Sequence, residues 1–475
     1  MKKILALVLA FCLLAAPVAR ADEEMSVEEE IKIGKDAFKA VQAQIPLVDD
    51  PDTISYVKGL AKKLTKARPD ERYKYQFYVA DEGVVNAFAL PGGWIVLFRG
   101  LITSMDNEGE LVGVMAHEMS HVYYRHIAAR IKKSGAVSMA TVAGMVAGLL
   151  LGALGGSPEL GQALTLGSAA GGAHAQLAFS REDEMQADYG AYKVLTAAGY
   201  HPADMAKTFQ RMWRTQRTTS PTPPTYLLTH PTSPERMEAI QNLVRRYPRP
   251  RMEYNNSDFL RIKTRLSALY SPEDEAESTF KAKLAKNPKD PYALYGQALL
   301  AMRGSNYKEG LSRLTMLEPL WQFNKEYLWR AQGICRLNLG DYEQAEKLLD
   351  KCLSKVPHDQ EAQVALGQTY LRQNKYEDAI FVLARVVNKH PDDAQANYDL
   401  GMALGRQGKT AEAALHLGLA FKQGGKIRSA RYHLERAVQG LNDQPELKKK
   451  AQKALDEISP KKPGPEKAEN KKKDD

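Results

Sequence analysis

At 475 residues the chain is too long for a single domain. Its formal net charge of +9 is mild for such a length and makes no case for a nucleic-acid partner. Lys2 and Lys3 precede an apolar stretch from Ile4 to Ala16, and Ala19-Arg20-Ala21 gives a small-x-small cleavage pattern. Residues 1–21 therefore read as a signal peptide, with the mature chain starting at Asp22 and exported. The apolar run falls short of the roughly 20 residues a spanning helix needs, which argues against an uncleaved anchor. Cys12 follows Phe11, a poor lipoprotein context, and removal of Lys2, Lys3 and Arg20 lowers the charge from +9 to +6.

Residues 22–72 follow as an N-terminal segment, in which Ile31 to Leu64 shows helical spacing broken at Pro46 and Pro51. Two short helices packed on the next domain are expected. Asn86-Ala87-Phe88-Ala89-Leu90-Pro91-Gly92-Gly93-Trp94-Ile95-Val96-Leu97 then reads as strand, glycine turn and strand, and alternation alone makes Trp94 to Phe98 a half-buried strand.

The next segment carries the chemistry. His117-Glu118-Met119-Ser120-His121 places two imidazoles four residues apart on one helical face, with a carboxylate one step round. This is the HExxH zinc-peptidase pattern: His117 and His121 bind the ion, and Glu118 reaches water. Asn107 with Glu110 makes a capping box for the helix, and Leu111, Val114 and Met115 supply its apolar face. A catalytic zinc keeps three protein ligands and one open position, so a third ligand is required. His126 stands five positions after His121, without the glycine and six-residue spacing of the metzincin pattern, and reads as a structural helix residue. Glu184 is the better third ligand. It shares a helical face with Asp188, which could hydrogen-bond the far nitrogen of a ligating histidine.

Between these two halves of one site, Gly135 to Ser157 carries no charge and is long enough to span a bilayer. A single span would put His121 and Glu184 on opposite sides of the membrane. We read 135–157 instead as an apolar helical hairpin or lid beside the cleft, touching membranes peripherally or unfolded clients.

Four segments in order, namely 86–97, the HExxH helix, Glu184 to Asp188, and Thr229-His230-Pro231, resemble the gluzincin-type zinc metallopeptidases of family forty-eight. The resemblance implies a mainly α fold, an α+β zincin-like domain with a small sheet spanning 73–256, and one Zn2+ per chain held by His117, His121 and Glu184. It makes Glu118 the general base of metal-assisted peptide hydrolysis. It also implies that Asn86, Phe88, Ala89, Pro91, Gly92 and Gly93 edge the cleft, where a peptide could add as an extra strand. His230, followed by Arg236, resembles the segment that brings a histidine to the zinc in the periplasmic branch. His230 would either fill the open position and hold the enzyme latent, or stabilise the oxyanion after release.

The second half repeats with a 34-residue period: Pro357 and Pro391, Gly333, Gly367 and Gly401, Ala345, Ala379 and Ala413, and Tyr342 with Tyr376. This resembles the tetratricopeptide repeat. Ala276, Phe280 and Pro288, then Tyr307 and Leu314, fit weaker copies upstream, while Ala430 with Leu434 suggests a half repeat downstream. The array, an α-solenoid over 257–458, would present a curved binding surface. Cys335 and Cys352 fall in it, far from the HExxH segment, and could pair or remain buried thiols. Residues 459–475 are almost devoid of apolar residues and read as a disordered charged tail.

The whole order resembles the repeat-bearing periplasmic branch of the family. That implies degradation of misfolded or misassembled envelope proteins, with the repeats docking on the outer-membrane barrel-assembly machinery or its stalled substrates. Two other readings stay open: a general periplasmic housekeeping peptidase, and a repeat-based chaperone or adaptor with a latent zinc site.

Overall fold

The computed structural model describes residues 25–133, 179–218, 225–248, 254 and 256–459. The expected signal peptide, the 135–157 segment and the expected disordered tail beyond Ser459 lie outside the described residues. Among those described, no helix is long and apolar enough to cross a membrane. The chain divides into two units, residues 1–266 and 267–475.

The first unit opens with α1 (Val27–Gln44), started by a capping box between Ser26 and Glu29, and α2 (Pro51–Ala67), capped by Asp50 with Pro51 in its first turn. Pro46 and Pro51 do separate them, but at 18 and 17 residues both are longer than the short helices expected. β1 (Gln76–Ala80), β2 (Ala87–Leu90) and β3 (Trp94–Phe98) follow, in the order β1-β3-β2. β3 runs parallel to β1, with Phe77 opposite Ile95, and antiparallel to β2, with Ala89 opposite Ile95.

β3 is buried along its whole length, not half-buried. A five-residue apolar run in a central strand has no solvent face to offer. Trp94, Val96 and Phe98 pack with Phe38 and Val41 of α1, and the alternate residues Ile95 and Leu97 are also 0% exposed. The turn Pro91–Gly93 places Gly92 and Gly93 at φ 74° and 100°, where side-chain-bearing residues are strained. It lies under α1: a Cβ on Gly34 would fall 1.8 Å from the Pro91 carbonyl oxygen.

After the short α3 (Arg99–Ser104) comes α4 (Glu108–Tyr123), the HExxH helix, buried from Gly109 to Val122. Asn107 caps it by accepting from the Glu110 amide at 3.0 Å, but only half of the expected box forms. The Glu110 carboxylate turns instead to the Asp106 amide and to Arg211. α5 (His126–Lys133), α6 (Arg181–Ala197), α7 (Pro202–Thr218), α8 (Thr225–Thr229), α9 (Pro234–Arg246) and α10 (Ser257–Tyr270) complete the helices that matter to the site. The unit boundary falls beyond the expected 256/257 because the start of α10 is anchored in the first unit. There Arg261 pairs with Asp52, and Arg265 with Asp50 at 2.5 Å.

The second unit is a succession of antiparallel helix pairs, all with α-helical lengths of 11 to 14 residues. The 34-residue phase has a steric cause, since Gly333, Gly367 and Gly401 each face a leucine of the next helix: Leu349, Leu383 and Leu417. Downstream the half repeat proves to be a full pair, Ile427–Gly440 and Pro445–Ile458, sharing a core through Leu434, Ala437, Ala451 and Ala454. Cys335 and Cys352 are both buried free thiols, and burial pushes the Cys335 thiol up to about 12.

Candidate metal centre

The helices that carry the HExxH segment, Glu184 and Arg236 have capped starts. Ser180 caps α6 through the Asp183 amide, with Asp183 returning the bond, so Glu184 emerges at a fixed place in the first turn. Ser233 caps α9, with Pro234 opening it, and so sets Arg236. α6 lies close on α4: a Cβ on Gly190 would stand 2.7 Å from Ser120 Oγ.

His117, His121, Glu184 and His230 come together, His230 held by its amide, which donates to the Tyr226 carbonyl at 2.9 Å, with one ligand atom from each lying within 4.8 Å of all the others. None is more than 1% exposed. The Nε2 atoms of His117 and His121 are 3.0 Å apart, and Glu184 lies 3.5 Å and 3.4 Å from them. Nδ1 of His230 stands 2.8 Å from Glu184 and 3.4 Å from His117 Nε2. Asp188 Oδ1 lies 3.0 Å from the far nitrogen of His117. Arg236 grips Asp188 in a fork of 2.6 and 2.9 Å and also pairs with Glu184.

Electrostatics explain why such a cluster tolerates burial. Burial alone would raise the Glu184 and Asp188 carboxyls, but the Arg236 charge and the neighbouring histidines outweigh it and hold both below their ordinary values. Burial opposes charge on His117 too, yet its bonds to Asp188 and Glu184 lift it to about 9. His121 goes the other way, well below the ordinary imidazole value, driven by burial and then by its charged neighbour His117. The two motif histidines thus compete for one positive charge. A dication can take that place, and soft-to-borderline imidazoles with one carboxylate are a donor set that suits zinc.

Glu118 does not join the cluster of four. Its Oε1 accepts from the Tyr226 hydroxyl at 3.0 Å and lies 3.5 Å from His230 Nε2, while Oε2 has no hydrogen-bond partner among the described residues. Tyr226 was not singled out from the sequence. It sits four residues before His230 on α8, its ring stacked on that imidazole at 4.4 Å, and this i,i+4 spacing was the available signal. Burial and then the Glu118 charge push the Tyr226 phenol well above its ordinary value, so it stays a donor. Phe179 closes the group from another side, its ring 3.9 Å from His121.

The residues expected to edge the cleft fall in two places. Asn86, Phe88 and Ala89 lie on or beside β2, which is buried along its length and, among the described residues, pairs with β3 alone. Pro91, Gly92 and Gly93 are likewise buried, beneath α1. His126 brings no atom into the metal cluster, yet its ring packs beside His121 at 5.1 Å.

Comparison with known proteins gives this arrangement its relatives. Residues 49–244 match the family model "Peptidase family M48", and 337–400 match "Tetratricopeptide repeat". A beta-barrel assembly-enhancing protease of Yersinia pestis is 28% identical over 74% of this chain and 72% of that one. Its Escherichia coli K12 counterpart is 30% identical over 69% of this chain, which spans 66% of that protein's length. Metalloprotease LoiP of Escherichia coli is 29% identical over 48% of this chain and 92% of its own. The buried His/Glu cluster, the family match across it and the repeats that follow make the chain a member of peptidase family M48, a metalloendopeptidase domain joined to tetratricopeptide repeats.

Proposed function

We propose that the chain is an exported, zinc-dependent endopeptidase that cleaves misfolded or stalled envelope proteins during outer-membrane barrel assembly, its repeats recruiting the client or the assembly machinery. The observation that carries the chemistry is Glu118 beside a complete buried donor set. The names of the Yersinia and Escherichia relatives support the biological setting, and the leader-like residues 1–21 support export.

When bound by His117, His121 and Glu184, zinc would supply Lewis acidity to the scissile carbonyl and to water. Glu118 takes the proton of the attacking water and hands it to the leaving amine. The Tyr226 hydroxyl fixes Oε1 and leaves Oε2 for that proton. Asp188 orients His117, and Arg236 keeps both buried carboxylates charged. By the family resemblance, an extended client would add to β2 as a further strand through main-chain hydrogen bonds.

His230 makes the donor set four, and four protein donors leave a site closed. The arrangement is therefore a resting one, in which His230 and Tyr226 on a single helical turn cover both metal site and base. The test pairs zinc content with cleavage of an unfolded protein by the mature chain and by Glu118→Gln. Stoichiometric zinc in both, with cleavage lost only in the variant, is expected. Zinc without cleavage in either, and none in His230→Ala, would favour the repeats as an adaptor.

A further inference from the structure

His126 is buried, 4% exposed, at the first position of α5, and the mechanism above does not use it. Its Nδ1 lies 3.0 Å from Nδ1 of His121, and its Nε2 lies 2.7 Å from Gln186 Oε1 with Asp183 Oδ1 at 3.7 Å on the same side. A carbonyl and a carboxylate only accept, so Nε2 of His126 must carry the hydrogen. In a neutral imidazole Nδ1 then accepts, and its partner, His121 Nδ1, must donate. That leaves a lone pair on His121 Nε2, the atom that faces His117 and Glu184. The opposite tautomer would place a hydrogen in the middle of the donor cluster.

The turn that makes this contact is built, not incidental. Without a glycine between His121 and His126, the chain reverses at Arg125, which adopts φ 61°. Its guanidinium is tied to Glu30 of α1 at 2.6 Å and to the Met25 carbonyl, while Glu30, 2% exposed, also accepts from Tyr73 at 2.7 Å. A strained residue held by a buried carboxylate swings His126 back against the helix it has just left.

We infer that His126, oriented by Gln186 and by the Arg125 turn, is a positioning residue that fixes the metal-binding tautomer of His121, as Asp188 does for His117. It is not a ligand. The inference rests on the four-residue metal site proposed above.

The experiment measures zinc affinity of the mature chain by competition with a chromophoric chelator, beside thermal unfolding of the chelator-treated protein. His126→Leu removes the acceptor, whereas His126→Asn keeps an oxygen where Nδ1 stood. Loss of an orienting partner lowers metal affinity about 10–100-fold. We expect that loss in the leucine variant, near-normal affinity in the asparagine variant, and metal-free melting that differs little between the two. If His126→Leu fails to fold, Gln186→Leu replaces it, since Gln186 is exposed on α6 and an affinity loss of several-fold is expected there. Equal affinity in the unaltered chain and the leucine variant would overturn the inference alone, as would equal losses in leucine and asparagine variants. Absence of zinc from the unaltered chain would overturn both this inference and the metal-site reading.

Discussion

Replacement of Arg236 by leucine tests the electrostatic basis of the site most directly. Arg236 is 3% exposed and neutralises two carboxylates that are themselves buried, Asp188 through a fork and Glu184 through a second pair. An exposed ion pair is worth about 0.2–1 kcal/mol, whereas removal of one partner of a buried pair costs about 3–5 kcal/mol because the remaining charge is stranded. The larger figure applies here. At about 2–4 °C per kcal/mol for a unit of this size, the metal-free peptidase transition should fall by roughly 6–20 °C. Zinc should recover part of the loss, since it supplies positive charge beside Glu184. Arg236→Lys should fall between, keeping charge but losing the fork. Calorimetry of the full chain, first with chelator and then with zinc, gives these values. A metal-free loss below about 1 kcal/mol for Arg236→Leu would refute the claim that Arg236 holds these carboxylates charged.

Glu118→Gln should retain stoichiometric zinc and lose cleavage of an unfolded protein, and residual cleavage near the unaltered rate would remove Glu118 as the base. His230→Ala should raise basal cleavage and weaken zinc binding by about tenfold or more, because a covering ligand is lost; unchanged activity would exclude the resting closure. Gly34→Ala should destabilise the first unit by about 1–3 kcal/mol, since the new methyl meets the Pro91 carbonyl, and denaturant midpoints will show whether α1 can yield instead. His416, whose Nδ1 is 3.0 Å from Asn397 Oδ1, is pushed down to about 4, chiefly by burial and then by Lys450. The unfolded chain therefore binds the extra proton first, so stability is intact above about pH 6.5 and declines as pH falls toward 4, by up to about 3 kcal/mol. A His416→Leu chain should lack that decline in acid unfolding of the repeats.

What the sequence disclosed depended on whether spacing alone carried the information. His117 and His121 share a face because helices repeat every 3.6 residues, and Glu184 with Asp188 obey the same rule, so both pairs could be read before any coordinates. His230 follows no such period relative to the others, and only family resemblance pointed to it. Tyr226 was legible in principle as the residue one turn before His230. His126 was not. Its contact depends on a left-handed Arg125, and that conformation is secured by Glu30, 95 positions away. Trp94-Ile95-Val96-Leu97-Phe98 is buried on both faces because it is an unbroken apolar run in the central strand, a signal that alternation alone does not carry. The repeats were the most transparent element, since each glycine recurs to clear a leucine in the neighbouring helix.

The contact between His117 and His230 spans 113 positions, and the fork that keeps Asp188 charged spans 48. A chain emerging from the ribosome displays its HExxH segment long before Glu184, His230 and Arg236 exist beside it. Until Arg236 arrives, two carboxylates cannot be buried as charges, and no dehydrated site can form around the imidazoles. Hydrolytic competence is thus the last property the domain acquires. A peptidase domain assembled in this order cannot hydrolyse its own nascent chain before Arg236 has emerged, and the contact between His117 and His230 forms only in the same late step.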